Sequence, residues 1–372
     1  MKRSVLSAKP FVKSSGIPVK PMQRSLTMLS SACKSPKTYE NYLHHINKFR
    51  EYFIIKNFDA LISIGTKKLQ TMIEDYTLYC RNQNYSASSM RSKISALDLF
   101  FLMSDITLNW KKIKKMLPER KKTQGEKPYT TEQINQILKN TTNLKFRAIV
   151  QFMASSGVRV GSFEELKVKD LEDFKNGCKS VKVYADSKDE YYTFIHQEAV
   201  IALEEYFEYR RKKGEKITLD SWVIAGIDTI NHVKTTSIVT SLCQIVNRVL
   251  DRKRTENRFD IMVSHGFRKR FATVLKSNNE INLSISEKLL GHSSTAKLDN
   301  CYFKPALEVM FDEYQKAIPD LVIDQTMKLK LELEKKDKQL SSLEVKDRRI
   351  EDLENVLSRV VLNLNELKSR VF

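Results

Sequence analysis

The chain of 372 residues is poor in the residue types that staple or punctuate a fold, with 5 cysteines, 10 glycines, 8 prolines and 2 tryptophans. Cys33, Cys80, Cys178, Cys243 and Cys301 are scattered, odd in number and never spaced Cys-x-x-Cys. That argues for reduced thiols rather than a disulfide or zinc framework. No apolar run approaches the roughly 20 residues needed to span a bilayer, and the N-terminus lacks the apolar core of a signal peptide. A cytoplasmic location is therefore expected. Also missing are a Gly-x-x-x-x-Gly-Lys phosphate loop, a His-Glu-x-x-His motif and paired metal-binding carboxylates. Nucleotide hydrolysis and two-metal chemistry are thereby set aside, and no metal or other cofactor is expected.

Acidic charge is the other scarcity. Lys and Arg number 64 against 45 Asp and Glu, a formal charge of +19. Clustered basic side chains gain affinity for polyanions by releasing counterions, so nucleic acid is the leading partner class and an acidic membrane surface the second. Residues 1–34 contain no acid at all but hold Lys2, Arg3, Lys9, Lys13, Lys20, Arg24 and Lys34 among Ser and Pro. They are expected to be a disordered basic arm.

Helical periodicity begins at Ser35-Pro36, an N-cap followed by proline at the first helical position. Tyr39, Tyr42, Leu43, Ile46, Phe49 and Phe53 form one apolar stripe, and Leu69, Met72, Ile73, Tyr76 and Cys80 a second. Met90, Ile94, Leu97 and Phe101 form a third, opposite Arg91, Ser92, Lys93 and Ser95. A fourth helix, Trp110 to Leu117, turns Ile113 and Met116 inward and Lys111, Lys112, Lys114 and Lys115 outward. Residues 35–117 should thus be a small all-α domain, and 118–129, with Pro118, Arg120, Lys121, Lys122 and Gly125, a polar linker.

Thr130 and Gln133 then spell a capping box, and a buried helix, Leu144 to Ser156, ends at Gly157. Strand patterns occupy Ser180–Ala185 and Tyr191–His196, joined by a polar turn with Lys188 at its tip. The expected class is mainly α with a small β-sheet, residues 130–320 forming a mixed α/β domain. After it, Leu329, Leu333, Lys336, Leu340, Leu343, Asp347 and Ile350 step by four and three, and Leu353, Leu357, Val360, Leu364, Leu367 and Val371 continue after one stammer. This is a coiled-coil seam over 327–372, and removing those residues should lower the oligomer mass.

Chemistry concentrates between Ser264 and Pro305. If Ser264 caps a helix with Phe267, Phe271 and Leu275 inward, His265 and Arg268 share its first turn, where the helix end favours an anion. Ser284-x-x-Glu287 reads as a capping box for a short helix closed by Gly291, with His292 next and Tyr302 ten positions on. Upstream, Arg159 follows Gly157-Val158. The ordered set Arg159, Lys188, His265-x-x-Arg268, Leu290-Gly291-His292 and Tyr302 resembles the catalytic set of the tyrosine recombinase (phage integrase) family, over roughly residues 36–318.

The resemblance implies a core-binding domain at 35–117, a catalytic domain at 130–320, and DNA strand exchange through a 3′-phosphotyrosyl intermediate. It implies Tyr302 as nucleophile, Arg159 and Arg268 on the scissile phosphate, and Lys188 as general acid, with Lys182 the fallback. His265 would be the acid/base partner of Tyr302 and His292 a phosphate donor; Tyr314 is the next candidate nucleophile. Arg91, Lys93, Lys111, Lys112, Lys114, Lys115, Arg120, Lys121 and Lys122 would meet DNA, and helix 306–318 would dock on a neighbouring protomer. Partners are then double-stranded DNA attachment sites and further copies of the chain as a tetramer on DNA, with no membrane and a place on the nucleoid.

Two departures mark a divergent archaeal or viral branch. Ser162 stands where the family usually has an acid, and the gap from His292 to Tyr302 is about one residue long. The rival readings are a catalytically inactive DNA-bridging protein and a type IB topoisomerase-like enzyme.

Overall fold

Short polar side chains and left-handed residues mark out the elements of this chain. The computed structural model describes residues 24–119, 127–226, 231–254, 258–292 and 304–371. Its fold is mainly α with one small antiparallel sheet. Two units divide it, Met1–Lys122 and Thr123–Phe372.

The first unit holds α1 (Arg24–Ala32), α2 (Pro36–Tyr52), α3 (Phe58–Ile62), α4 (Thr66–Asn82), α5 (Ala87–Leu102) and α6 (Trp110–Met116). Ser35 caps α2 by accepting the Thr38 amide at 3.2 Å, with Pro36 at the first helical position. All the apolar stripes converge on one core that includes Ile46, Phe49, Ile73, Met90, Leu97, Phe101 and Ile113. Residues 24–32 depart from the basic arm expected over 1–34. Leu29 is fully buried in this core, and tertiary burial of one side chain orders a helix too short to stand alone. The rest of that arm, 1–23, lies outside the described residues. α3 is too short to display a period and had no counterpart in the pattern.

The second unit runs α7 (Thr131–Lys139), α8 (Leu144–Ser156), β1 (Leu171–Asp173), β2 (Lys179–Val183), β3 (Tyr191–Ile195), α9 (Gln197–Lys212), α10 (Thr235–Val249), α11 (His265–Ser277) and α12 (Leu283–Leu289). A helix Leu307–Leu321 and a C-terminal helix Gln325–Val371 follow. The sheet order is β1-β2-β3, with Val181 opposite both Leu171 and Thr193. β1 has three residues, too few to show alternation. The Thr130–Gln133 capping box forms, and Gly157 ends α8 at φ +62°.

The end of the expected linker belongs to this unit. The Lys127 amide donates to Asp260 O at 3.1 Å, and buried Tyr129 donates its hydroxyl to Val263 O at 3.1 Å. The Leu307–Leu321 helix, expected to dock on another protomer, packs on its own chain. Phe311, Tyr314, Ala317 and Leu321 are fully buried in a cluster with Phe194, Phe271 and Leu289. Arg270 fastens its C-terminal end by donating to Asp320 O at 2.8 Å and Leu321 O at 3.1 Å, where the helix dipole is negative.

The C-terminal helix is continuous over 47 residues, about 70 Å at 1.5 Å per residue. Its base is held: Asp324 accepts the Met327 amide at 2.9 Å, and the Glu198 carboxylate accepts the amides of Ile323 and Asp324. Beyond it, Leu333, Leu340, Leu343, Ile350, Leu353 and Leu357 are each more than half exposed. No helix among the described residues is long and apolar enough to cross a membrane.

Candidate active site

Arg268 is the centre of the site. Phe267, Phe271 and Leu275 bury one side of α11, and Arg268 follows them inward at 5% exposure. Its Nη1 donates to Gly157 O at 2.8 Å and its Nη2 to Leu290 O, which ties α11 to the end of α8 and the end of α12. Gly157 permits that approach, since a Cβ there would stand 2.4 Å from the Phe271 ring. Ser264 does not cap α11 as expected; its backbone is already helical and its side chain makes no capping bond.

Arg159, two residues beyond Gly157, is exposed at the start of a 3-10 turn. Burial pulls Arg268 below the ordinary guanidinium range, and the nearby positive charge of Arg159 pushes the same way. The other groups acting on Arg268 are the phenols of Tyr191 and Tyr184, neither of them a carboxylate. Those two phenols feel both arginines, although burial keeps each above the usual tyrosine range. Two guanidiniums beside the same pair of phenols, with Glu165 the carboxylate that also acts on Tyr184, form a candidate site for an anion.

Tyr184 and Tyr191 flank the β2–β3 turn, with Tyr184 at φ +55° and Asp186 at φ +61° reversing the chain. Lys188 is exposed on this turn and takes no ion pair among the described residues. Lys182 is committed elsewhere, 3.3 Å from Glu190 and 3.9 Å from Asp186, and its hydrogen bond to Glu190 raises its pKa.

His265, the first residue of α11, is exposed and one turn ahead of Arg268. His292 is half-buried, with Nδ1 2.7 Å from Glu287 Oε2. Glu287 therefore does not cap α12. Asn282 does, accepting the amides of Ser284 and Ile285 at 2.9 and 3.4 Å. Glu287 is five positions before His292, a signal the capping-box pattern obscured. Tyr191 was likewise passed over as an ordinary strand residue.

Tyr302, with all of 293–303, lies outside the described residues. The alternative nucleophile Tyr314 is fully buried, bonded to Ser155 Oγ at 3.0 Å, and burial pushes its pKa well above the tyrosine range. Ser162 spends its hydroxyl on Arg159 O at 2.7 Å, and Glu164 accepts the Thr235 amide at 2.5 Å.

In the first unit Lys93 departs from its expected exposed stripe. It is 7% exposed with its ammonium 4.6 Å from the Tyr85 ring centre, a cation–π contact. Lys112 pairs with Glu74 at 2.6 Å and Lys114 with Asp98 at 3.0 Å, whereas Lys111 and Lys115 are exposed, and Arg91 is half-buried. Arg120, Lys121 and Lys122 lie outside the described residues.

Residues 128–308 match the profile of the Phage integrase family, and residues 23–103 that of the phage integrase N-terminal SAM-like domain. The chain is 23% identical over 259 residues to the tyrosine recombinase XerC of Lactobacillus leichmannii, spanning 65% of this chain and 80% of that one. With the XerC of Leptospira interrogans serogroup Icterohaemorrhagiae serovar copenhageni it shares 26% over 250 residues, 64% of this chain and 72% of the relative. Among solved structures it is similar to the XerH site-specific recombinase in a post-cleavage complex with palindromic difH substrate, with TM-score 0.52, 18% identity, and coverage of 74% of this chain and 83% of that chain. It is also similar to a lambda integrase dimer bound to a COC' core site, with TM-score 0.51, 18% identity, and coverage of 76% and 97%. At these identities the structures speak for the fold.

Proposed function

The chain belongs to the phage integrase family of tyrosine recombinases, and on that premise we propose that it cuts and rejoins DNA through a 3′-phosphotyrosyl intermediate. Resealing a phosphodiester with no outside energy source requires that the bond energy be kept in a covalent enzyme intermediate. Tyr302 attacks the scissile phosphorus, the 3′ phosphate becomes esterified to its phenol, and the 5′ oxygen leaves. Lys188 protonates that oxygen from the hairpin turn. Arg159 and Arg268 neutralise the non-bridging oxygens as charge builds on them. His265 takes the proton of Tyr302, whose ordinary pKa near ~10 keeps it neutral at pH 7, and His292 adds a hydrogen bond to the phosphate.

The observation that supports this reading is that Arg268 is buried, held by two backbone carbonyls, and near enough to Arg159 to feel its charge. The helical unit and its Lys111 and Lys115 would hold the flanking duplex through phosphates. Two attachment sites held by four copies of the chain, used for integration or excision of a mobile element, complete the proposal.

The test uses duplexes selected from a random-sequence pool by binding to the full chain, then nicked opposite each candidate cut. Wild type should trap as a covalent protein–DNA adduct, and Tyr302→Phe should bind the same DNA without trapping. Binding without any adduct from wild type would favour an inactive bridging protein. An adduct that survives in Tyr302→Phe would place the nucleophile elsewhere.

A further inference from the structure

Glu287 is half-buried between two basic side chains of different elements. Its Oε1 lies 2.5 Å from Lys276 Nζ, which projects from α11, and its Oε2 lies 2.7 Å from His292 Nδ1. The backbone repeats the link, since the His292 amide donates to Glu287 O at 3.0 Å. Both the ring and the main chain of His292 are therefore referred to one residue. That residue is in turn tied to the helix carrying Arg268, whose guanidinium reaches Leu290 O two positions before His292.

Burial alone would raise the Glu287 carboxyl, but the bonds from Lys276 and His292 outweigh it and hold the pKa below the usual range. An ionised carboxylate can only accept. The proton on the shared line must then sit on Nδ1 of His292, which leaves Nε2 as the single ring nitrogen able to face a substrate. Neither lysine nor glutamate was needed for this by the helix itself, because Asn282 supplies the cap of α12.

We propose that Glu287, held by Lys276, is a positioning residue for His292: it accepts the Nδ1 proton and turns the ring, so that the protonated imidazole presents Nε2–H as the donor to the scissile phosphate. This rests on the recombinase reading above. The pair works as a hydrogen-bonded carboxylate works behind a histidine generally, setting tautomer and ring orientation rather than touching the reacting atoms.

Two readouts test it on the full chain. Histidine-labelled protein, with His292→Gln to assign the signal, reports the tautomer of His292 by long-range proton–nitrogen correlation. Wild type and Glu287→Gln should show Nδ1–H, while Glu287→Ala should lose that preference. On the selected nicked duplexes, Glu287→Ala should form adduct about tenfold or more slowly, with Glu287→Gln recovering much of the rate and both keeping wild-type DNA affinity. Lys276→Ala should fall between them.

A wild-type His292 with a proton on Nε2 and none on Nδ1, or an alanine variant that cuts as fast as wild type, would overturn the proposal. If wild type binds DNA but forms no adduct, the recombinase reading fails instead, and the tautomer measurement alone decides whether Glu287 orients His292.

Discussion

Among the described residues Arg268 is anchored by two backbone carbonyls and by no acid, so its position is fixed while its charge stays available. A carboxylate in that place would have oriented it equally well and spent the field that an anion needs. Glycine makes the arrangement possible. Gly291 sits at φ +58°, and a Cβ there would meet the Tyr191 ring at 2.4 Å. Gly291→Ala must therefore strain the backbone and displace the ring beside Arg268. A loss of roughly 2–4 kcal/mol in urea unfolding is expected from strain plus overpacking. A loss under about 0.5 kcal/mol would mean that the ring moves aside freely.

At the scale of elements, α8, α9 and the Leu307–Leu321 helix meet at a buried polar knot. Ser155 Oγ lies 3.0 Å from Tyr314 Oη and accepts the His196 amide at 2.7 Å. The His196 ring is 1% exposed with no partner at either nitrogen among the described residues, and burial, aided by the Arg270 charge, drops its pKa to about 3. Between that value and the ordinary ~6.5 the unfolded chain holds a proton that the fold refuses, so stability falls as pH falls through this window. From pH 7 to pH 5 this one group should cost about 2 kcal/mol. His196→Phe should remove that share of the acid sensitivity, measured as the change in urea midpoint between the two pH values; an unchanged slope would clear His196 of the effect.

Elements of this kind were legible in unequal measure. The stripes of α2, α4 and α5, the proline start of α2, the capping box of α7 and the hairpin all follow from period and turn chemistry, and all are present. α1, α3 and β1 are short segments made by tertiary burial, which no local period announces. α9 has its apolar residues at Ala199, Ala202, Leu203, Tyr206 and Phe207, but acids and a terminal basic run around them masked the stripe. In the site, the order of Arg159, His265, Arg268 and His292 was visible as motif. The roles of Glu287 and Tyr191 depend on which elements pack together, and so needed coordinates.

For the whole molecule, the long C-terminal helix sets the question of assembly. Its seam residues, from Leu333 to Leu357, are left in water by a single chain, at about 25 cal/mol for each Å² that a partner would cover. Met327 and Leu331 already pack on the second unit, so the informative truncation begins after them. Removing residues 336–372 should reduce the mass measured by light scattering while leaving the unfolding transition of the remainder in place. A mass that does not change would assign the seam to some other role.

The base of that helix has one more implication. Glu198 grips the two amides at Ile323 and Asp324, just where one helix stops and the next begins, so the grip acts as a fulcrum. A lever about 70 Å long converts a tilt of about 10° at such a pivot into a sweep of about 12 Å at its far end. The pitch of two neighbouring residues thus governs where the far end of the helix points.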